Sequence, residues 1–264
     1  MYNNKKISLT ITSSKRFELL QMTLRGFVTF CKDLDIIDNV IFFDDSSSEM
    51  DKINMEQLLQ DKFPNKNIIV THFYENSFED GYRHSRILNE MRKKLIDTET
   101  DYFFMLEDDY LFVNHFNIKE TIDLLEKHEE YGYVGFSQSY KNFPPEIQPK
   151  TIGDYWEWYY DPKKPINEHL FIDEVSAVQT MIPNLWMQYL NWPSFSLRPG
   201  VNHSKRFLSI GEFSTNYDTN KMRTELEFAI RWSKKYKSLC HKNFYIINLA
   251  WDSSKSSYSL NNSN

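Results

Sequence analysis

Along residues 1–110, short continuous apolar runs alternate with segments whose apolar residues recur every three or four positions. "ISLTIT" (7–12), "NVIFF" (39–43), "NIIVTHF" (67–73) and "DYFFML" (101–106) have strand length and β-branched or aromatic character. Helical patterns separate them. Leu20, Leu24, Phe27 and Cys31 share one face of "FELLQMTLRGFVTFC"; "MEQLLQDKF" is a short helix; Ile87, Met91 and Leu95 fall at i, i+4 and i+8 of "RILNEMRKKLI". Strands apolar at successive positions are covered on both faces, and helices between them imply parallel pairing through right-handed crossovers. The pattern predicts an α/β fold: a doubly wound, mainly parallel sheet flanked by helices.

Beyond residue 115 the pattern is less regular. "IKETIDLLEKH" predicts a helix with Ile118, Ile122 and Leu125 inward, and "YGYVGFSQ" a strand. Residues 142–169 are rich in proline and aromatics and read as loop. "EVSAVQTMI" (174–182) reads as a strand, "NLWMQYL" as a short helix, "TELEFAIRWSKKY" (224–236) as a helix and "NFYIINLAW" (243–251) as a late strand. One domain over 1–252 is expected, with a nucleotide-binding half to about residue 115, an acceptor half from 116, and a polar, disordered tail over 253–264.

Composition narrows the function. A net charge of −6 disfavours nucleic acid as the main ligand. Only 7 glycines leave little material for glycine-rich phosphate loops. The 2 cysteines, Cys31 and Cys240, suggest neither a disulfide framework nor a zinc site, and Cys31 reads as a buried thiol. No signal-peptide core or transmembrane run is visible. A cytoplasmic chain, soluble or peripherally membrane-associated, is expected, which leaves the sequons at Asn202 and Asn261 idle.

In doubly wound sheets, ligands bind outside the carboxyl ends of the strands. Three strand ends carry polar clusters: Thr12-Ser13-Ser14, Asp44-Asp45 and Glu107-Asp108-Asp109. Strand alternation points Glu107 and Asp109 one way and Asp108 the other. Two carboxylates side by side repel unless a cation lies between them, which suits Mg²⁺ or Mn²⁺ with substrate phosphates. The alternatives are a solvated acidic turn at 107–109 and a polar turn at 44–48.

These motifs, in this order, resemble GT-A fold glycosyltransferases. "SKRFELLQMTLRGF" after the first strand looks like their opening. "FFDDSSS" resembles the "DDGS" signature with Ser46 for glycine, "GYRHSRILNEM" the stretch before the fourth strand, and "FFMLEDDYLF" the DxD motif. The resemblance covers about residues 5–115 and is nearest the inverting group called family two. It implies a nucleotide-sugar donor, Mn²⁺ or Mg²⁺, and transfer to a glycan or other hydroxyl acceptor. Thr12, Asp44, Asp45, Glu107 and Asp108 would line the donor site. Arg83 and Arg86 would offset the diphosphate. Asp109 would be the main metal ligand, with Glu107 and His203 completing the shell.

The family's base motif, "ED-x-E-x-x-x-R", is matched by "TELEFAIR" (224–231), with Thr224 in place of the first acid. Glu225 falls on the base and Arg231 on the arginine, with Glu212 and Asp218 as substitutes upstream. Thr224 and Glu227 also fit a capping box. "YWEWYY" (155–160) and Trp186 are candidates for sugar stacking or for core packing. Three competitors are a retaining enzyme on the same fold, an inactive glycan- or partner-binding domain, and a nucleotidyltransferase. The last needs a glycine-rich first loop, which "TITSSKRFE" lacks. Donor, acceptor and oligomeric state stay open.

Overall fold

The computed structural model describes residues 2–74, 83–136, 150–158, 160, 162–163, 193–215, 221–243 and 245–249. The expected strands and helices 174–182 and 184–190, and the tail, lie outside them. The first four long strands are β1 (Ile7–Ser13), β2 (Asn39–Asp45), β3 (Asn67–Phe73) and β4 (Tyr102–Glu107). They pair in parallel in the order β3-β2-β1-β4. Their crossovers are α1 (Phe17–Phe30), α2 (Glu49–Lys62) and α3 (Arg83–Asp97). α2 starts earlier than its apolar pattern suggests, because Ser48 caps it by accepting the Asp51 N–H at 3.1 Å.

The second half continues the same sheet. The remaining strands are β5 (Tyr110–Phe112), β6 (Tyr131–Gly135), β7 (Thr151–Ile152), β8 (Tyr155–Glu157), β9 (Gly200–His203), β10 (Lys237–His241) and β11 (Ile246–Asn248). β9 runs antiparallel between β4 and β6, and the order closes β6-β10-β8-β7. The late apolar run at 243–251 supplies only β11, which leaves the main sheet and pairs with β5. The helices here are α4 (Ile118–Lys127), α5 (Ser204–Leu208) and α6 (Lys221–Ser233).

Period-two alternation divides the core. Leu9, Ile11, Val40, Phe42, Phe104 and Leu106 face α1, α2 and α4. Ile41, Phe43, Phe103 and Met105 face α3, α5 and α6. Leu20, Leu24, Phe27 and Cys31 fill the first layer and Ile87, Met91 and Leu95 the second, as their spacing predicts. Cys31 and Cys240 are buried free thiols. Among the described residues, no helix is long and apolar enough to cross a membrane.

His203 ends β9 opposite Tyr102, at the amino end of β4, with the two rings 4.8 Å apart. Burial, then the nearby Arg206, holds its imidazole down to about 4. The unfolded chain therefore takes up this proton first, from near pH 6.5 downward. Between pH 6.5 and 4 acidification favours the unfolded state through this group. Thermal midpoints measured at pH 7 and pH 5 should fall less in His203→Gln than in the parent protein.

Candidate active site

The parallel register sets the ends of β1, β2 and β4 side by side: Thr12 is paired with Phe43 and with Glu107, and Ser13 with Asp44. The polar clusters thus meet along one edge of the sheet, as strand order requires.

Asp108 is fully buried among these clusters. Its Oδ2 accepts from the Ser13 hydroxyl at 2.8 Å, the Ser14 N–H at 3.2 Å and Arg16 Nε at 3.2 Å, while Oδ1 takes a short bond from Arg16 Nη2. Burial raises this carboxyl to about 7, while Arg16, Ser13 and Ser14 pull it down. Four donors converge on its two oxygens, so the carboxylate is the form that fits. Asp108 is thus engaged within the protein and positions the turn after β4.

Asp109 differs. Arg16 Nη1 donates to its Oδ2 at 3.2 Å, but its Oδ1 is buried with no hydrogen-bond partner. Glu107 is pushed well above the ordinary carboxylate range by burial first, then by the charges of Asp109 and Glu225. An orphaned carboxylate oxygen beside mutually repelling acids fits a divalent cation. Among the described residues, no three His, Cys, Asp or Glu side chains form a ready ligand set, so a cation held here would complete its shell with other oxygens, such as water or substrate phosphate.

Glu225 reaches this crevice from α6. Its carboxylate accepts the Leu197 N–H at 3.0 Å. Burial raises its pKa, against the Leu197 bond, Arg198 and Ser196. The capping-box expectation does not hold: α6 begins at Lys221, so Thr224 lies inside it and bonds to Ser85 at 3.1 Å instead. Glu225 is consequently the fifth helical residue and not in the first turn. Arg231 donates to the Ile210 and Glu212 carbonyls and pins that turn.

Asp44 is fully buried, accepting from Ser47 and lying 3.1 Å from His72 Nδ1, so it shapes the loop after β2. Asp45, beside it, accepts the Ser46 hydroxyl at 3.1 Å. His203 is not brought to Asp109. It stands at the far end of β4, about 17 Å from Glu107 at strand rise. Glu212 is exposed, and its charge acts on Arg92 and Lys93. Arg86 is half-buried on α3, next to the Ser85 that meets α6. The Arg83 side chain, Asp218 and Trp186 lie outside the described residues. Tyr155 packs on His241 at 4.3 Å and Trp158 on Tyr133 at 6.4 Å, which favours core packing for these two aromatics.

Two arginines went unread in the sequence. Arg16 follows the hydroxyl-rich turn after β1. Arg198 precedes β9, and its charge lowers Asp109, Tyr110 and Glu225. A lone arginine in a loop carries no spacing signal, so only the fold reveals either.

No family model matches the chain, and no curated protein matches it in sequence. Solved structures share its fold. S. aureus TarS 1-349 superposes with a TM-score of 0.56 at 12% identity, covering 93% of this chain and 60% of that one. The same TarS fragment in complex with UDP gives 0.54 at 11%, covering 91% and 59%. Mannosyltransferase PcManGT from Pyrobaculum calidifontis, in complex with GDP-Man and Mn²⁺, gives 0.53 at 10%, covering 94% and 58%. The chain thus spans about three fifths of the length of these structures. At such identities the likeness is one of fold: a GT-A-like, mainly parallel sheet flanked by helices.

Arg16→Met leaves Asp108 buried without its counter-ion and should cost about 3–5 kcal/mol in denaturant unfolding. Adding Asp108→Asn should recover part of that loss, because the two changes share one interaction.

Proposed function

We propose that this chain transfers a sugar from a nucleotide-sugar donor to an acceptor hydroxyl, with inversion, using Mn²⁺ or Mg²⁺. One observation carries the reading: Glu107, Asp109 and Glu225 converge at the carboxyl edge of the sheet, with Asp109 Oδ1 buried and unpartnered. The GT-A-like fold, shared with a protein solved with UDP and one solved with GDP-Man and Mn²⁺, supports the same ligand class.

Asp109 and Glu107 are the residues to hold the cation. Bound there, a divalent cation would offset the charge of a departing nucleoside diphosphate. Arg16 fixes Asp109 through one oxygen and leaves the other for the ion. Asp45 and Thr12, at the ends of β2 and β1, would line the nucleoside pocket. Arg198 adds positive charge between Asp109 and Glu225.

Glu225 serves as the base. Burial raises its basicity above that of an exposed glutamate, and the Leu197 N–H fixes one oxygen. Its carboxylate takes the acceptor hydroxyl proton as that oxygen bonds to the anomeric carbon and the bond to the diphosphate oxygen breaks. A retaining enzyme on the same fold would not use Glu225 as a base, so the base assignment separates the two readings.

Glu225→Gln should lower kcat by about 10²-fold or more while leaving nucleotide affinity unchanged. Full kcat in that variant would sink the base assignment. Asp109→Ala should abolish the Mn²⁺-dependent part of thermal stabilisation by UDP or GDP. An undiminished Mn²⁺ effect would remove it as the metal ligand.

A further inference from the structure

We propose that His72 is a positioning residue for the donor pocket, acting through Asp44 and Ser47 on the turn that presents Asp45. The inference rests on the donor-binding reading above. His72 is paired with Asp44 across β3 and β2. Its Nδ1 lies 3.1 Å from Asp44 Oδ2, and its Nε2 lies 2.9 Å from Glu56 Oε1 on α2. Asp44 accepts from the Ser47 hydroxyl and, at 3.4 Å, from the Ser47 N–H. Ser47 Oγ in turn accepts the Lys15 N–H at 3.0 Å. A continuous hydrogen-bonded chain therefore runs from α2 through the ends of β3 and β2 to the loop after β1.

That chain brackets two residues in the left-handed region, Lys15 at φ +55° and Ser46 at φ +64°. Neither is glycine, so their own preferences oppose the conformation and neighbouring bonds must hold it. Two further bonds join the same turn: Ser46 N–H to the Phe73 carbonyl at 3.0 Å and the Ser14 hydroxyl to the Asp45 carbonyl at 3.2 Å. Asp45 sits within this frame, next to Ser46. Asp44 is fully buried, so whatever it contributes to a ligand it contributes through the turn. An imidazole carries a ring nitrogen on each side of a rigid ring, and with both protonated it donates to a carboxylate on each side.

The test is calorimetric titration of UDP and of GDP, each with Mn²⁺, into the parent protein, His72→Leu and Glu56→Gln. Glu56 is more than half exposed, so its substitution probes the chain without touching the core. The nucleotide that binds the parent should lose about tenfold in affinity in His72→Leu, the lower end for removing a support behind a ligand-contacting group. Glu56→Gln should weaken it by less, with an unchanged thermal midpoint. With the matching sugar nucleotide, the loss should fall on KM and not on kcat. Equal affinity in all three proteins, or a lowered thermal midpoint with unaltered affinity, would overturn the proposal. A parent protein that binds neither nucleotide would remove the donor-binding reading itself, and this inference with it.

Discussion

The site depends on the buried ion pair between Arg16 and Asp108. One guanidinium, at the start of α1, grips Asp108 with two nitrogens and Asp109 with a third. Asp108 also gathers the Ser13 hydroxyl and the Ser14 amide, and its backbone carbonyl takes the Thr23 hydroxyl of α1 at 2.8 Å. The ends of β1 and β4 and the first turns of α1 are thereby locked together. Buried pairs seldom add net stability, because desolvation offsets their attraction. What this one adds is orientation: β4 ends at Glu107, and Arg16 fixes both carboxylates of the turn that follows, Asp108 through two nitrogens and Asp109 through one.

That arrangement leaves a charge imbalance where chemistry is expected. Among the described residues, Glu107, Asp108, Asp109 and Glu225 bring four carboxylates together, and the guanidiniums of Arg16 and Arg198 act on them. Arg16 is largely committed to Asp108. The charges of Asp109 and Glu225 therefore add to burial in raising the proton affinity of Glu107, while burial raises that of Glu225. Mutual repulsion at a buried edge is tolerable in the free protein because each acid can hold a proton. A divalent ion with its bound diphosphate would replace those protons and restore the carboxylates, so binding would convert strain into selectivity for a metal–nucleotide complex.

The parallel half was legible because burial on both faces writes continuous apolar runs, as in 39–43 and 101–106. β9 was not, since "GVNH" is neither apolar nor alternating. It becomes a strand because β4 and β6 flank it, and because Gly200 lets it approach: a Cβ there would fall 2.5 Å from the Val134 carbonyl. The Thr224–Glu227 spacing misled because Lys221, Met222 and Arg223 prolong the helix and Ser85 occupies the Thr224 hydroxyl. Alternation sets Asp44 and Asp45 on opposite faces of β2 but does not say which of them faces the crevice. Position along β4, in turn, shows only in the pairing register, so nothing in the sequence separated His203 from the acids. Glu225 was singled out by its motif, whereas the arginines that tune the acids had no motif to show.

Scarcity of glycine has a structural counterpart in these loops. With only 7 glycines in the chain, the turns after β1 and β2 place Lys15 and Ser46 in the left-handed region. Each such residue costs about 1–2 kcal/mol relative to its relaxed form. Glycine would remove that cost but also the side chain, and would enlarge the unfolded ensemble the fold must order. Here the Ser46 hydroxyl reaches Asp45, and the Lys15 amide is held by Ser47. The conformation is fixed by a network of hydrogen bonds and not by the freedom of a missing Cβ. A phosphate cradle of bare amides needs glycine. A pocket that presents fixed carboxylates and hydroxyls to a nucleoside does not, which is why a glycine-poor chain remains compatible with nucleotide chemistry on this sheet.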